Sequence, residues 1–178
     1  KEGRLQGGLD VPLNEEGKRQ AHLLALRLAE ERWDHLFSSD LRRAAVTADV
    51  IGKTIGLKVA FDARLRERRY GRLEGLTAQE RIDRWGPDWS SLDHGIESDE
   101  SIRQRGLDFI ADVCSRHPDQ RLLVVSHGSL IRHTLKALIA EGDDGDPLEN
   151  TSVTIIRNEG GRWQLLLRNC TRHLHHPE

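Results

Sequence analysis

The sequence predicts an α/β domain in three layers, with a mixed, mostly parallel sheet flanked by helices. Three observations lead there. Short apolar runs alternate with segments of helical periodicity, the pattern of strands joined by crossover helices. The run Leu122–Val125 is unbroken and holds paired valines, as a strand buried on both faces does, and helical spacing resumes directly after Ser126-His127-Gly128. Two β-rich segments, Ser152–Ile156 and Trp163–Leu167, flank Asn158-Glu159-Gly160-Gly161. That is a hairpin signal, and it puts an antiparallel strand at a sheet edge.

Residues 1–12, KEGRLQGGLDVP, are glycine-rich and aperiodic and read as loop. Asn14 is placed as an N-cap, with Glu15 and Glu16 favourable in the first turn of a helix that turns Ala21, Leu24, Ala25, Leu28 and Ala29 inward. Trp33–Phe37 is a short strand. Ser38-Ser39-Asp40 then reads as the cap of a second helix from Leu41 to about Ile55, ended by Gly56. Leu57–Phe61 is a strand, and Leu65–Gly75, LRERRYGRLEG, is irregular and dense in arginine. Thr77 caps a helix to about Trp85, and residues 86–95 read as a surface excursion. Ser98 caps a longer helix to about Arg116, with Ile102, Leu107, Ile110 and Val113 as its apolar positions. Leu122–Val125 is expected to be the central strand. The helix after it carries Leu130, Ile131, Thr134, Leu135, Leu138 and Ile139. Residues 141–147, EGDDGDP, form an acidic turn without the spacing of a calcium loop.

The 178 residues suit one domain with a proper core. A net charge of −2 supplies no basic field to draw nucleic acid or anionic membrane. No apolar run is long enough to span a bilayer. Cys114 and Cys170 stand apart and read as reduced thiols of a cytoplasmic protein. No metal-ligand spacing appears, so no metal or other cofactor is expected. His22, His35 and His117 read as surface residues and His133 as a helix residue. His173, His175 and His176 form a C-terminal cluster, an adventitious transition-metal site or, the favoured reading, a disordered tail.

Four places look chemically loaded. His127 falls at the carboxyl end of a strand where a helix begins, the place where ligands bind in open α/β sheets. Helix-start N–H groups favour an anion there, and Gly128 allows a tight turn and leaves room for a ligand. The competing reading is a neutral histidine packed at a strand end. Arg42 and Arg43 lie in the first turn of a helix, where a cation opposes the dipole; a bound anion would account for them, and so would plain exposure to solvent. Glu67, amid Arg66, Arg68 and Arg69, is either a surface ion pair or a carboxyl group beside a phosphate pocket. Arg4, Gln6 and Gly7 sit in a loop able to donate to a ligand.

Taken in order, GRLQGGLDVPLNEEG, SSDLRRAAVTA, LRERRYGRLEG, GIES with the later Arg105, and VVSHG resemble the motifs of the histidine phosphatase superfamily, also called phosphoglycerate mutase-like. The resemblance spans nearly the whole chain. It implies a mixed α/β sheet with the site at the strands' carboxyl ends. It makes Arg43 a phosphate ligand, with Gln6 and Gly128 lining the same pocket, Glu67 the general acid and base, and His127 the second histidine, which stabilises the transferring phosphoryl group. Arg68 and Tyr70 match positions that contact substrate in the mutase branch. The family's nucleophile is the histidine of an RHG motif at the end of its first strand. That segment is expected upstream of Lys1.

The activity so implied is hydrolysis of small phosphate monoesters through a phosphohistidine, without metal. The interval from Glu67 to His127 is short and leaves room only for a small lid, which favours hydrolysis over transfer. A phosphoglycerate mutase-type phosphoryl transferase is the alternative. A non-catalytic phosphoester-binding protein is the reading of another class, should the nucleophile be absent. The expected partner is a small phosphorylated metabolite, not nucleic acid or membrane, and a homodimer is compatible with this reading.

Overall fold

The computed structural model describes residues 3–139 and 147–175. Most of the acidic turn and His176 lie outside them. Five α-helices alternate with the strands: α1 (Glu15–Leu28), α2 (Arg42–Ile55), α3 (Ala78–Trp85), α4 (Asp99–Arg116) and α5 (Gly128–Leu138). The strands are β1 (His35–Ser38), β2 (Val59–Phe61), β3 (Leu122–Val125), β4 (Val153–Glu159) and β5 (Arg162–Cys170). Three are parallel, in the order β2-β1-β3, with Leu36 opposite both Val59 and Leu123. The hairpin β4–β5 forms a second, antiparallel sheet. Its turn is Gly160-Gly161, both at positive φ, as a tight primed turn requires.

Alternation along β1 sets the layers. Leu36 points into a cluster with Leu24, Ala25 and Leu28 of α1 and Ile51 of α2. Phe37 points the other way, onto Leu65, Ile102, Phe109, Val113 and Leu130. Helices thus cover both faces of the parallel sheet. On α4 the buried stripe is Ile102, Gly106, Phe109 and Val113; Ile110 packs against this cluster half-buried, and Phe109 holds an inward place not expected from the sequence. At Gly106 α4 lies against α5 so closely that an added Cβ would stand 2.0 Å from Thr134 Oγ1.

Several expectations are corrected. Among the described residues β1 is the middle strand, and β3 pairs on one side only, with Val124 38 % exposed. Trp33 and Leu57 stand outside the strands because each completes a helix end. Trp33 Nε1 donates to Leu28 O of α1, and Leu57 N to Gly52 O of α2. The Ser-Ser-Asp run does not cap α2 with a side chain. Leu41 is the N-cap, and the Arg42 N–H is met by Asp10 Oδ1 of the N-terminal loop at 2.6 Å. Residues 86–95 are not all surface, since His94 is buried and its ring packs against Trp85 and Trp89. His35 and His117 are half-buried and stack on each other. His173 is no disordered tail. It is buried beside α1 with Nδ1 3.1 Å from Arg27 Nη1, and burial pushes its pKa down to about 4.

Candidate active site

The carboxyl ends of β1 and β3 and the start of α5 meet at His127. Its ring is 7 % exposed, with Nε2 2.9 Å from Ser39 Oγ at the end of β1. Burial, with the nearby Arg43 and Arg105 guanidinium groups, pushes its pKa down to about 3, and Asp40 opposes this only in part. The imidazole is therefore neutral near pH 7 and presents a hydrogen-bonding group, not a charge, to its surroundings.

Arg43 reaches the same place from the first turn of α2. Nη1 donates to Leu9 O and Nη2 to Gly7 O, both at 2.7 Å. Those carbonyls come from the N-terminal loop whose Asp10 caps α2, so one loop orients the helix start and its arginine together. Gly7 suits the loop because φ is +51° and a Cβ would lie 2.4 Å from Glu74 Oε1. Burial lowers the Arg43 pKa, and the Glu67, Asp10 and Glu74 carboxylates work against that. Arg42 faces outward, and the anion at its helix start is the chain's own Asp10, 3.9 Å from Nε.

Glu67 escapes the arginines around it. Arg66 goes to Asp40, and Arg68 to Asp99 and Glu97 O. The Glu67 carboxylate takes only backbone donors, Arg68 N at 2.8 Å and Ser129 N at 3.4 Å. One helix-start N–H expected to hold a ligand thus holds Glu67 instead. The loop carrying Glu67 is braced from α4. Arg105 donates to the carbonyls of Arg64, Arg66 and Glu67 and pairs with Glu97, whose side chain is 2 % exposed. Burial acts to raise the Glu97 pKa, but Arg105, the Arg69 N–H and Ser101 hold it below the ordinary carboxylate range.

A cavity of about 240 Å³ opens beside these groups, lined by Glu67, Tyr70, Gly128, Ser129 and Arg132 together with Pro147 and Leu148. The sequence model of the histidine phosphatase superfamily (branch 1) matches residues 1–171. The chain belongs to that superfamily. Among its relatives, phosphoglycerate mutase-like protein 4 of Arabidopsis thaliana is 34 % identical over 97 % of this chain and 80 % of its own length. Phosphoserine phosphatase 1 of Hydrogenobacter thermophilus is 35 % identical over 97 % of this chain and 87 % of its own. A mycobacterial glucosyl-3-phosphoglycerate phosphatase, solved in its native form, superposes with a TM-score of 0.83 at 29 % identity, over 94 % of this chain and 92 % of that one.

In this histidine phosphatase domain, the residues singled out from sequence divide into two sets. Tyr70 and Gly128 line the cavity with Glu67, and Arg43 and His127 lie within electrostatic reach. Tyr70 OH is 2.9 Å from Ser129 Oγ. Gly128 has an ordinary φ, so it is not there to make a strained turn; the space in front of it is open for 4 Å. Gln6 is exposed and does not line the cavity, and Arg68 is turned away to Asp99. Four contributors had no role from sequence: Asp10, Ser39, Ser129 and the Glu97–Arg105 pair. Asp10, Glu97 and Arg105 lie inside the quoted motifs, which mark importance without naming a contact. Ser39 lies inside one too, read there only as part of a helix cap, and Ser129 gives no signal apart from the fold. No helix among the described residues is long and apolar enough to cross a membrane.

Proposed function

We propose that the domain is a metal-independent phosphatase acting on small phosphate monoesters through a phosphohistidine. The observation that carries this is Glu67: a carboxylate in no direct ion pair with a neighbouring guanidinium, lining the cavity at the start of α5, with Arg43 and His127 alongside. Histidine nitrogen attacks phosphorus, the ester P–O bond breaks, and Glu67 protonates the leaving oxygen. Water then attacks the phosphohistidine, the P–N bond breaks, and the Glu67 carboxylate takes the water's proton. Arg43 offsets phosphate charge throughout, and a neutral His127 supplies an N–H donor to the transferring group.

The reading assigns the nucleophile to a histidine on a further strand, upstream of Lys1. Support comes from β3, whose outer edge is unpaired among the described residues and whose Val124 is exposed. A strand paired there would end beside His127. Mutase activity is the second reading, favoured by Tyr70 in the cavity. The commitment of Arg68 to Asp99 and Glu97 O speaks against it. Product analysis separates the two, since a mutase returns a phosphorylated isomer and a phosphatase returns inorganic phosphate.

The test of the mechanism is Glu67→Gln in the full-length protein. A positioned acid contributes roughly 10²–10⁴-fold where the leaving group needs a proton. In single turnovers, phosphoenzyme formation from an alkyl phosphate should slow within that range, and that from p-nitrophenyl phosphate far less. Equal losses on both would remove Glu67 from the acid role.

A further inference from the structure

We propose that Glu74 is a positioning residue: it locks the Gly7–Gly8 peptide in the orientation that aims Arg43 at phosphate. This rests on the reading of Arg43 as a phosphate ligand. Gly7 O and Gly8 N–H belong to a single peptide unit, and in a trans peptide the two point opposite ways. Gly7 O accepts from Arg43 Nη2 at 2.7 Å, and Gly8 N–H donates to Glu74 Oε1 at 2.9 Å. Arg43 and Glu74 thus grip one peptide plane from opposite edges. Gly7 O and Leu9 O take one hydrogen from each Nη, which leaves Nε–H and the second hydrogen of each Nη for an anion.

A peptide between two glycines turns over easily, because neither neighbour has a Cβ to oppose rotation, and Gly7 already sits at φ +51°. Turning over would take the carbonyl from the guanidinium and aim an N–H at a cation. It would also leave Glu74 facing a carbonyl oxygen in place of its donor, so the carboxylate opposes the flip. In the held orientation the carboxylate polarises the peptide and makes Gly7 O a better acceptor for Arg43. Docking of the loop does not need Glu74. Leu5 N already donates to Leu76 O, and Gly75 N to Leu5 O. What Glu74 adds is the direction of one peptide. The same Oε1 accepts the Tyr70 N–H at 2.9 Å, so one atom sets both the guanidinium and the tyrosine of the cavity.

Binding of inorganic phosphate to the full-length protein, read together with amide exchange, tests this. Glu74→Ala should weaken phosphate by about ten-fold or more. Exchange should quicken at Gly8 and Tyr70 and stay slow at Leu5. Glu74→Gln keeps an acceptor oxygen and should remain within about three-fold of wild type. Glu74→Met keeps the length without that oxygen, and it replaces the alanine variant should that one not fold. Arg43→Lys has no planar fork to aim, so adding Glu74→Ala to it should cost no more than about three-fold. Wild-type affinity in the variants without an acceptor overturns the proposal, as does a glutamine variant as weak as alanine. A full ten-fold loss in the Arg43→Lys background also overturns it, because Glu74 would then act by another route. A wild type that binds no phosphate would sink the phosphatase reading, and this proposal with it.

Discussion

Acidification should weaken this fold through His127, by an amount that can be worked out in advance. The folded pKa is pushed down to about 3 from an ordinary value of 6.5, because the ring is buried beside Arg43 and Arg105. In the unfolded chain the ring regains its ordinary value. Protons therefore bind the unfolded state first. The contribution of a neutral, buried His127 is complete above pH 6.5 and is lost as pH falls toward 3. Between pH 7 and pH 5 the loss from this residue is ~2 kcal/mol. The window is chosen because the depressed carboxylates Asp40, Asp62, Glu97 and Asp112 stay ionised across it. His173 also titrates low, but it is present in wild type and variant alike. Urea denaturation of wild type and His127→Gln at several pH values in this window isolates the term. Wild-type stability should fall more steeply with acid than that of the variant, by ~2 kcal/mol over the window. Parallel curves, or an NMR titration of the His127 ring near its ordinary value, would refute the argument that burial keeps this imidazole neutral.

Two structural predictions follow from the supports of the site. Asp10→Ala removes the acceptor for the Arg42 N–H, and it should cost ~1 kcal/mol in denaturant unfolding, with faster amide exchange confined to the first turn of α2. An unchanged Arg42 exchange rate would mean that Asp10 does not cap the helix. Gly106→Ala forces a Cβ against Thr134 Oγ1 and should destabilise by ~1–3 kcal/mol. Adding Thr134→Ala to that variant should return part of the loss, because the hydroxyl otherwise bonds only to Leu130 O of its own helix; strict additivity would sink the clash argument.

Much of the fold was legible because its signals are local. Asn14 and Thr77 accept the helix N–H bonds that their positions suggest, Gly56 takes the left-handed C-cap, and the two-glycine turn makes the hairpin. What failed was long-range. Nothing near Leu41 in sequence says that its helix is capped from Asp10; Ser39 Oγ accepts only the Leu41 N–H, ahead of the first helical residue, and also meets His127. The apolar run of β3 announces burial, but a strand's place in the sheet depends on which partners it finds. In the site, Glu67, Arg43 and His127 were marked by residue type at strand ends and helix starts. Arg68 looked equivalent to them on the page. Only its ion pair with Asp99 separates it from the cavity.

The brace between α4 and the Glu67 loop bears on how this domain can change over generations. Arg105 ties down three carbonyls within four residues, those of Arg64, Arg66 and Glu67, and Glu97 meets the Arg69 N–H from the same side. The acid-bearing loop thus takes its shape from two side chains at the far end of the intervening segment, α3 and the turns after it. That segment can be rewritten, lengthened or shortened in descendants while the carboxylate keeps its address.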